Sequence, residues 1–497
     1  MKELVAGEPG AFRRPRDPMT PPTDAGKCDD AFPSGWYLRA LVILIALGGF
    51  LRFWHLGYNS LWLDEAETCN LALMPFSAIW QAMAGGGLTP PLFYWAEHVM
   101  LVFGTSETVL RFLPAVSGVI AIPVFYLAGR EFLDKNAGLI AAAGCAVSPF
   151  LIQYSQDARA YTAALLFVAC ATLFFLRAMR SARQEDWLLF GLFSALAVWT
   201  HFYSAIAIAS LVLYALLAWL PHLKAEIPNI AMLSAGTCLA VVLCLPLVFT
   251  LLPTLVTYTT SSVPAACGVQ GLAIITGTLC QMAGSDPVLM WVMIALFAAG
   301  TLQMFYLDVR KGFFLLFVTV FVFVTSYILS YHMTMISRYL IFLNIVFLLG
   351  IAVSYRILCL FLKGPGAVCG VIAILLLVSA PSLATYYTGP VYEDWRGFAG
   401  KLQAQTGPGD IVVSVPGYVS QPLDYYYSAK IDGTTGYGAT NVSEIEKIVQ
   451  GRGNRTVWFV KTFDIYSADP TGQTNQWLSN HTRLVAQESD ILLSVYP

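Results

Sequence analysis

Two adjacent carboxylates, Asp64 and Glu65, follow directly on the aromatic-apolar run Leu61-Trp62-Leu63. Asp157 and Arg159 come later, then His201, then Arg338. A carboxylate beside an apolar boundary is held there against its desolvation cost. Such a group can act as a base toward a hydroxyl, coordinate a cation, or pair with a neighbouring arginine. Arginines in the same setting suit charge-assisted recognition of a phosphate. Plainer readings stand beside these. Arg159 is two residues from Asp157 and could form a local ion pair, and Arg338 could anchor a helix end at headgroup level. Glu67, Glu97 and His98 read as solvated loop charges or structural ion pairs. Asp64, Glu65, Asp157 and His201 could hold Mg²⁺ or Mn²⁺ through oxygen and imidazole, but nothing in their spacing demands it, so the metal is unknown.

Apolar segments must position these residues. The chain of 497 residues is 57% hydrophobic and 12% charged, about half the charged share of a soluble domain. A bilayer solvates that much apolar surface where a single soluble core would not. The net charge of −2 suggests no nucleic-acid partner. Ten scattered cysteines without a CxxC pair exclude a disulfide scaffold and a thiolate zinc site. Cys267 and Cys280 share one loop and read as free thiols more readily than as a pair.

Stretches able to cross about 30 Å of hydrocarbon occur near 36–56, 109–129, 137–154, 160–179, 187–200, 203–220, 230–251, 288–307, 313–331, 339–357 and 367–387. These make about eleven transmembrane helices, the fifth of them short. When they are threaded alternately, Arg13, Arg14, Arg16, Lys27, Arg39, Arg130, Lys135, Arg177, Arg180, Arg183, Lys224, Arg310, Lys311, Arg356 and Lys363 share one side. The positive-inside rule makes that side cytoplasmic, with the N-terminus inside and the tail outside, in a plasma-membrane setting. Residues 1–35 then form a polar cytoplasmic segment with no cleaved signal, and 36–388 the transmembrane domain. Residues 57–108 form a long first external loop. Its apolar run 91–104 is too short to span. Within it Phe76, Ile79, Trp80 and Met83 make a helical stripe that either lies at the interface or packs on other spans. Residues 389–497 turn polar and predict an external α/β domain: helix 394–406, strands at 411–415 and 456–460, helix 444–449 and a strand pair over 483–495. Three sequons, at Asn441, Asn454 and Asn480, all fall there.

The motifs resemble the membrane glycosyltransferases of the GT-C fold, of the protein O-mannosyltransferase and lipid A aminoarabinose transferase type (family 39/83-like, bacterial or archaeal). Leu61–Ala66 looks like that family's acidic loop motif, and Thr89-Pro90-Pro91-Leu92-Phe93-Tyr94-Trp95 like its His-Pro-Pro-Leu-Tyr-Tyr element. Residues 106–114 match the family's next segment. Ser148-Pro149-Phe150 with Gln156-Asp157-Ala158-Arg159-Ala160-Tyr161 is similar to the QEARMY stretch of bacterial members. Thr200-His201-Phe202-Tyr203, Ser337-Arg338-Tyr339 and Tyr392–Arg396 match later elements. Thr89 stands where the family often has His, which puts a donor or metal contact there in doubt.

The resemblance implies transfer of a sugar from a polyprenyl-phosphate donor to a protein, lipid or glycan acceptor on the external face, with inversion. Asp64 would be the base and Glu65 its catalytic neighbour. Arg159 and Arg338 would bind the donor phosphate, and Pro90, Pro91, Tyr94, Asp157, Tyr161, His201 and Tyr339 would line the substrate site. No cofactor is required by this scheme beyond a possible divalent metal; the lipid-linked donor is a substrate, and membrane lipids surround the chain. A transporter or flippase of lipid-linked glycans is the competing reading. Such proteins keep ionisable residues mid-span and often repeat their halves, which this sequence does not.

Overall fold

The computed structural model describes residues 31–84, 90–260, 268–389, 391–427 and 435–497, with the side chains of 253–255 and 257–260 excepted. Thr89, Cys267 and the first 30 residues lie outside the described residues.

Helix α1 (Ser34–Phe53) leads into the first loop, which holds α2 (Leu63–Ala72), α3 (Phe76–Ala84) and α4 (Pro91–Met100). Then come α5 (Phe112–Phe132), α6 (Lys135–Val147), α7 (Pro149–Ser155), α8 (Tyr161–Ser181), α9 (Gln184–Thr200), α10 (Ser204–Trp219), α11 (Ile227–Thr260), α12 (Leu272–Met282), α13 (Pro287–Leu307) and α14 (Val309–Leu329). A 3₁₀ segment, Ser337–Leu343, runs into α15 (Asn344–Val353), and α16 (Gly364–Thr388) closes the apolar part. Among the described residues nine helices are long and apolar enough to cross a membrane, and the bent pair α6–α7 makes ten. The chain is thus a multi-pass membrane protein.

The fifth segment, expected at 187–200, is the 17-residue helix α9, which falls short of that length. It nevertheless returns along the whole of α8. At one end Arg177 pairs with Asp186 at 3.3 Å, next to the left-handed Ala182 that turns the chain. At the other end Tyr161 and His201 have ring centroids 5.5 Å apart. Its ~26 Å of helix therefore covers nearly the same depth as α8. The two faces of the bundle are chemically distinct. Arg180–Glu131 (2.8 Å) and Arg356–Asp134 (2.6 Å) lie together at one end, where Arg130 and Lys135 also line a cleft. Asp64, Arg159, His201 and Arg338 gather at the other.

The break between α6 and α7 arises from Ser148-Pro149. Proline at the first position of α7 lacks the N–H that would bond Cys145 O. The buried guanidinium of Arg52 supplies that donor instead, bonding Cys145 O at 2.8 Å and Ala146 O at 3.1 Å. Gln156 in turn caps the end of α1, donating to the carbonyls of Leu51, Arg52 and Trp54. Together these contacts aim the short segment 156–160, which carries Asp157 and Arg159.

The apolar run 91–104 is α4 followed by a single 3₁₀ turn, as its length predicts. The stripe on α3 packs inward. Ile79 meets Phe93 and Tyr94, and Met83 meets Leu247 and Leu251 of α11, while Phe76 stays half exposed.

Beyond α16 lies a small domain with a five-stranded sheet, order β2-β1-β3-β5-β4. Its strands are β1 (Ile411–Val415), β2 (Thr435–Gly438), β3 (Val457–Lys461), β4 (Arg483–Glu488) and β5 (Ile491–Tyr496). β1 pairs parallel with β2 and β3, and β5 pairs antiparallel with β3 and β4. β1 is buried along its whole length, between Trp395 and Phe398 on one face and Ile445 and Leu478 on the other. Strand β2 and the helices Ser420–Tyr427 and Gln473–His481 add to the elements expected from sequence.

Candidate active site

Trp62 is extended and caps α2, so Asp64 and Glu65 fall in that helix's first turn, where the backbone N–H groups favour negative charge. Adjacent helical positions are about 100° apart, and the two acids take opposite surroundings.

Glu65 is fully buried. Its Oε1 accepts from Arg111 Nε at 2.7 Å and from the Ala158 N–H at 2.8 Å, and its Oε2 pairs with Arg111 Nη2. Arg111 also donates to the carbonyls of Leu56, Asn59 and Ser60. Both Glu65 oxygens are therefore engaged, an arrangement that suits the expected neighbour that tunes or positions Asp64 rather than a proton-transfer group. Arg111 is the partner that the sequence reading left without a function.

Asp64 is partly exposed, and its Oδ2 meets Arg338 Nη2 at 2.9 Å. Arg338 lies over the Trp62 ring at 5.1 Å and the Tyr161 ring at 5.7 Å. Arg159 donates to the Asp64 carbonyl at 3.0 Å and pairs with Glu67 at 3.2 Å. The ion-pair partner of Arg159 is thus Glu67, not Asp157, and the same nitrogen also donates to Thr68 Oγ1 at 3.4 Å. Trp62 stacks on Tyr392 with centroids 4.9 Å apart and planes within 5°.

A cavity of about 250 Å³ opens beside this constellation, lined by Pro90, Tyr94, Arg159, Tyr161, His201 and Tyr339, with Tyr203 and Thr334. Its aromatic wall is continuous: Tyr161–Tyr339 at 6.0 Å, His201–Tyr339 at 5.2 Å, Tyr203–Tyr339 at 5.0 Å. Burial, then the positive charges of Arg159 and Arg338, push His201 down to about 3, so its imidazole is neutral at physiological pH.

Pro91 begins α4 and is buried, and it does not line this cavity. Asp157 lies behind it, fully buried. Its Oδ1 accepts from the Trp62 indole at 3.1 Å, while Oδ2 has no hydrogen-bond partner. Burial, then the nearby Glu65 charge, raise Asp157 to about 8 against the pull of Arg338 and Arg159. Glu97, expected as a loop charge, is instead buried among apolar neighbours with both oxygens unpartnered, and burial lifts its carboxyl well above the usual range. His98 bonds the Ala72 carbonyl.

The acids of the constellation are largely engaged by other partners. Among the described residues no three His, Cys, Asp or Glu side chains gather as ligands. Glu65 is saturated by Arg111 and Ala158, and His201 faces aromatic rings.

Comparison with known proteins agrees with this architecture. Residues 89–249 match the sequence family described as dolichyl-phosphate-mannose-protein mannosyltransferase. No curated protein matches the chain. Among solved structures the chain is similar to ArnT from Cupriavidus metallidurans in the apo state, with a TM-score of 0.62 at 12% identity over 93% of this chain and 98% of that one. The same protein bound to undecaprenyl phosphate gives 0.55 at 14% identity, again over 93% and 98%. The archaeal oligosaccharyltransferase AglB from Archaeoglobus fulgidus, in complex with an inhibitory peptide and a dolichol-phosphate, gives 0.54 at 14% identity over 92% and 74%. The fold is therefore GT-C-like, a helical membrane bundle carrying a small C-terminal sheet domain.

Removing one partner of the buried pair, by Glu65→Ala or Arg111→Ala, should cost about 3–5 kcal/mol. Each single variant should melt well below wild type in detergent, and the double variant Glu65→Leu/Arg111→Leu should recover part of the loss. Single variants as stable as wild type would show that the pair does not organise the loop.

Asp157 makes a second expectation. In the folded chain it keeps its proton to about pH 8, whereas an unfolded aspartate loses it near ~4. The stability linked to it is fully present below the unfolded value and is lost as pH rises through the folded one. Melting temperature should fall from about pH 4 to about pH 8 and level off above that, and Asp157→Asn should flatten that slope. An equally steep slope in the variant would place the titration elsewhere.

Proposed function

We propose that this chain is a membrane glycosyltransferase that moves a sugar from a polyprenyl-phosphate donor to an acceptor hydroxyl, with inversion. The observation that carries the reading is Asp64, held between Arg338 on its carboxylate and Arg159 on its carbonyl, at the rim of an aromatic cavity. The family match over 89–249 and the lipid-phosphate complexes of the similar structures support it.

The donor phosphate sits against Arg159 and Arg338, whose guanidinium groups stabilise it as it departs. The sugar rests in the aromatic cavity, where Tyr161 and Tyr339 offer ring faces and the neutral His201 adds no competing charge. The acceptor oxygen attacks the anomeric carbon from the side opposite the phosphate. As that bond forms, the bond from carbon to phosphate oxygen breaks, and its electron pair leaves with polyprenyl phosphate. Asp64 takes the hydroxyl proton. A phosphate leaving group needs no strong acid, so one base suffices where glycosidases use two carboxylates. Arg338 serves twice. It bonds Asp64 in the resting state and turns to phosphate when donor arrives, which frees Asp64 as the base. Glu65 and Asp157 act behind this surface, the first through Arg111 and Ala158 and the second through Trp62.

The site face is external in this proposal. The clustered cations of the other end, Arg130, Lys135, Arg180 and Arg356, support that orientation. The sheet domain, with its three sequons, then lies outside. No observation favours the transporter reading: the charged groups of the site gather at one end of the bundle.

Asp64→Asn should lower sugar transfer in proteoliposomes by about 10²–10⁴-fold, with binding of the polyprenyl-phosphate donor retained. Transfer at the wild-type rate would remove Asp64 as base. For orientation, a single cysteine at the exposed Ser479 in a cysteine-free background should react with a membrane-impermeant maleimide in intact cells. Reaction only after permeabilisation would invert the arrangement.

A further inference from the structure

The carboxyl ends of β1 and β3 lie side by side in the sheet domain, because the two strands pair in parallel. After β1 the chain enters the helix Ser420–Tyr427, which packs with Trp395 and Phe398 on one face of the sheet. After β3 it runs to the helix Gln473–His481, whose Leu478 packs with Ile445 and Val449 on the other face. Neighbouring parallel strands whose exits diverge in this way leave a crevice beyond their carboxyl ends, the usual ligand position in open α/β sheets. Residues 416–419 form one wall of this crevice and residues 462–464 the other.

Three aromatic side chains at these walls are not needed by the core. Tyr418 is 40% exposed, Phe463 48% and Tyr466 55%, whereas Ile465 between the last two is buried. The Phe463 and Tyr466 rings stack with centroids 6.0 Å apart and planes within 20°. Tyr418 Oη lies 3.5 Å from the Asp464 carbonyl and ties the two walls together. Asp464 is itself exposed, and its Oδ2 accepts from Thr462 Oγ1 at 3.4 Å.

Charge then selects the ligand. The common occupant of such a crevice is a phosphate, held by backbone N–H groups. Here the donors are already engaged. The Gly417 N–H donates to Thr440 Oγ1, and Lys461 Nζ donates to Asn475 Oδ1 at 2.6 Å. Asp464 adds a negative charge that repels an anion. Exposed ring faces with a carboxylate acceptor suit instead the apolar face of a sugar and its hydroxyls.

The crevice also lies near the reacting groups. Burial raises the Asp464 carboxyl and the Asp64 charge raises it further, against the bond from Thr462. Burial, then the charges of Asp464 and Asp490, raise Glu393, which with Asp490 lines the space beside Trp62 and Arg338. Asp464 is thus within electrostatic reach of the carboxylate at the cavity rim. A chain of sugars lying on the rings could extend its next unit to Asp64.

We infer that the crevice at the carboxyl ends of β1 and β3 binds an uncharged oligosaccharide, whose rings stack on Tyr418, Phe463 and Tyr466 and whose hydroxyls bond Asp464. Its use rests on the glycosyltransferase reading: the crevice holds an inner unit of a glycan acceptor while an end hydroxyl reaches Asp64. The binding itself stands apart from that reading.

The test uses the full chain in nanodiscs and saturation-transfer NMR with three probes: maltohexaose, mannohexaose and the anionic hexagalacturonate. At least one neutral hexasaccharide should receive saturation and titrate to a plateau, and hexagalacturonate should not. Phe463→Ala/Tyr466→Ala should weaken that binding at least about tenfold, and the conservative pair Phe463→Tyr/Tyr466→Phe should keep it. Asp464→Asn should weaken the neutral sugar and admit hexagalacturonate, which a merely structural aspartate would not do. Should the alanine pair not fold, a photoactivatable neutral hexasaccharide must label the peptide containing Phe463 to Tyr466 in the wild-type chain. No binding of either neutral sugar, binding untouched by the alanine pair, or labelling elsewhere only overturns the inference. Labelling of that segment by a serine- and threonine-containing probe peptide in place of the sugar overturns it as well. Release of polyprenyl phosphate from a radiolabelled donor is measured separately in proteoliposomes. Sugar binding with no release under any condition sinks the transferase reading and leaves the oligosaccharide site standing, and release without sugar binding does the reverse.

Discussion

The buried pair of Glu65 and Arg111 is the contact on which the site depends. Neither side chain reaches solvent, and each group is bonded on nearly every side. A charge so buried is tolerable only when its partner and hydrogen bonds are all in place. The pair therefore acts as a registration device. Arg111 draws in the carbonyls of residues 56, 59 and 60, which fixes the exit from α1, and Glu65 draws in the Ala158 N–H, which fixes the segment before α8. Asp64, one residue from Glu65, is left on the other side of α2. It faces Arg338 because Glu65 faces Arg111.

A second constraint sets the other half of the constellation. Arg159 can reach the Asp64 carbonyl only if α7 ends where it does, and that end is set by the bend at Pro149. The bend exposes carbonyls inside an apolar bundle, a cost that Arg52 offsets from α1. Ser155 takes part as well, accepting from Arg52 Nε at 3.1 Å. Gly118 faces this junction so closely that a Cβ there would lie 2.6 Å from Arg52 Nε, so the glycine makes room for the arginine. Two buried arginines, in α1 and just before α5, thus hold the short segment 156–160 from its two ends.

Much of this was legible in the sequence. The length of its apolar runs marked every long helix, and charge placement separated two faces that the structure keeps apart. Asp64, Arg159, His201 and Arg338 were singled out by their types beside apolar boundaries, and folding brings them within one constellation. The rest stayed hidden because sequence spacing does not carry the physics that decides it. Asp64 and Glu65 look equivalent when written side by side, and only the roughly 100° between helical neighbours assigns one to the surface and one to the core. Arg111 is 46 residues from Glu65, so their pairing needed tertiary information. Glu97 looked like a loop charge because a loop element in sequence can still be interior in space. Strand β2, Thr-Gly-Tyr-Gly, has little β propensity and is held by its register with the buried β1.

The resting contact between Asp64 and Arg338 also limits side reaction in the proposed mechanism. Water could attack the anomeric carbon wherever an acceptor hydroxyl can, so the base we propose, Asp64, must stay engaged until the correct partner is present. Arg338 meets that need through geometry. While it bonds Asp64, the carboxylate lacks a free lone pair on the Arg338 side, and the guanidinium is clamped between Trp62 and Tyr161. In the proposed mechanism a bound phosphate competes for the same guanidinium and loosens that bond only when donor is in place. Trp62 connects this event to the sheet domain through its stack on Tyr392 and to the buried Asp157 through its indole N–H. The loop tryptophan is therefore the piece through which Arg338, the buried acid and the sheet domain are mechanically joined.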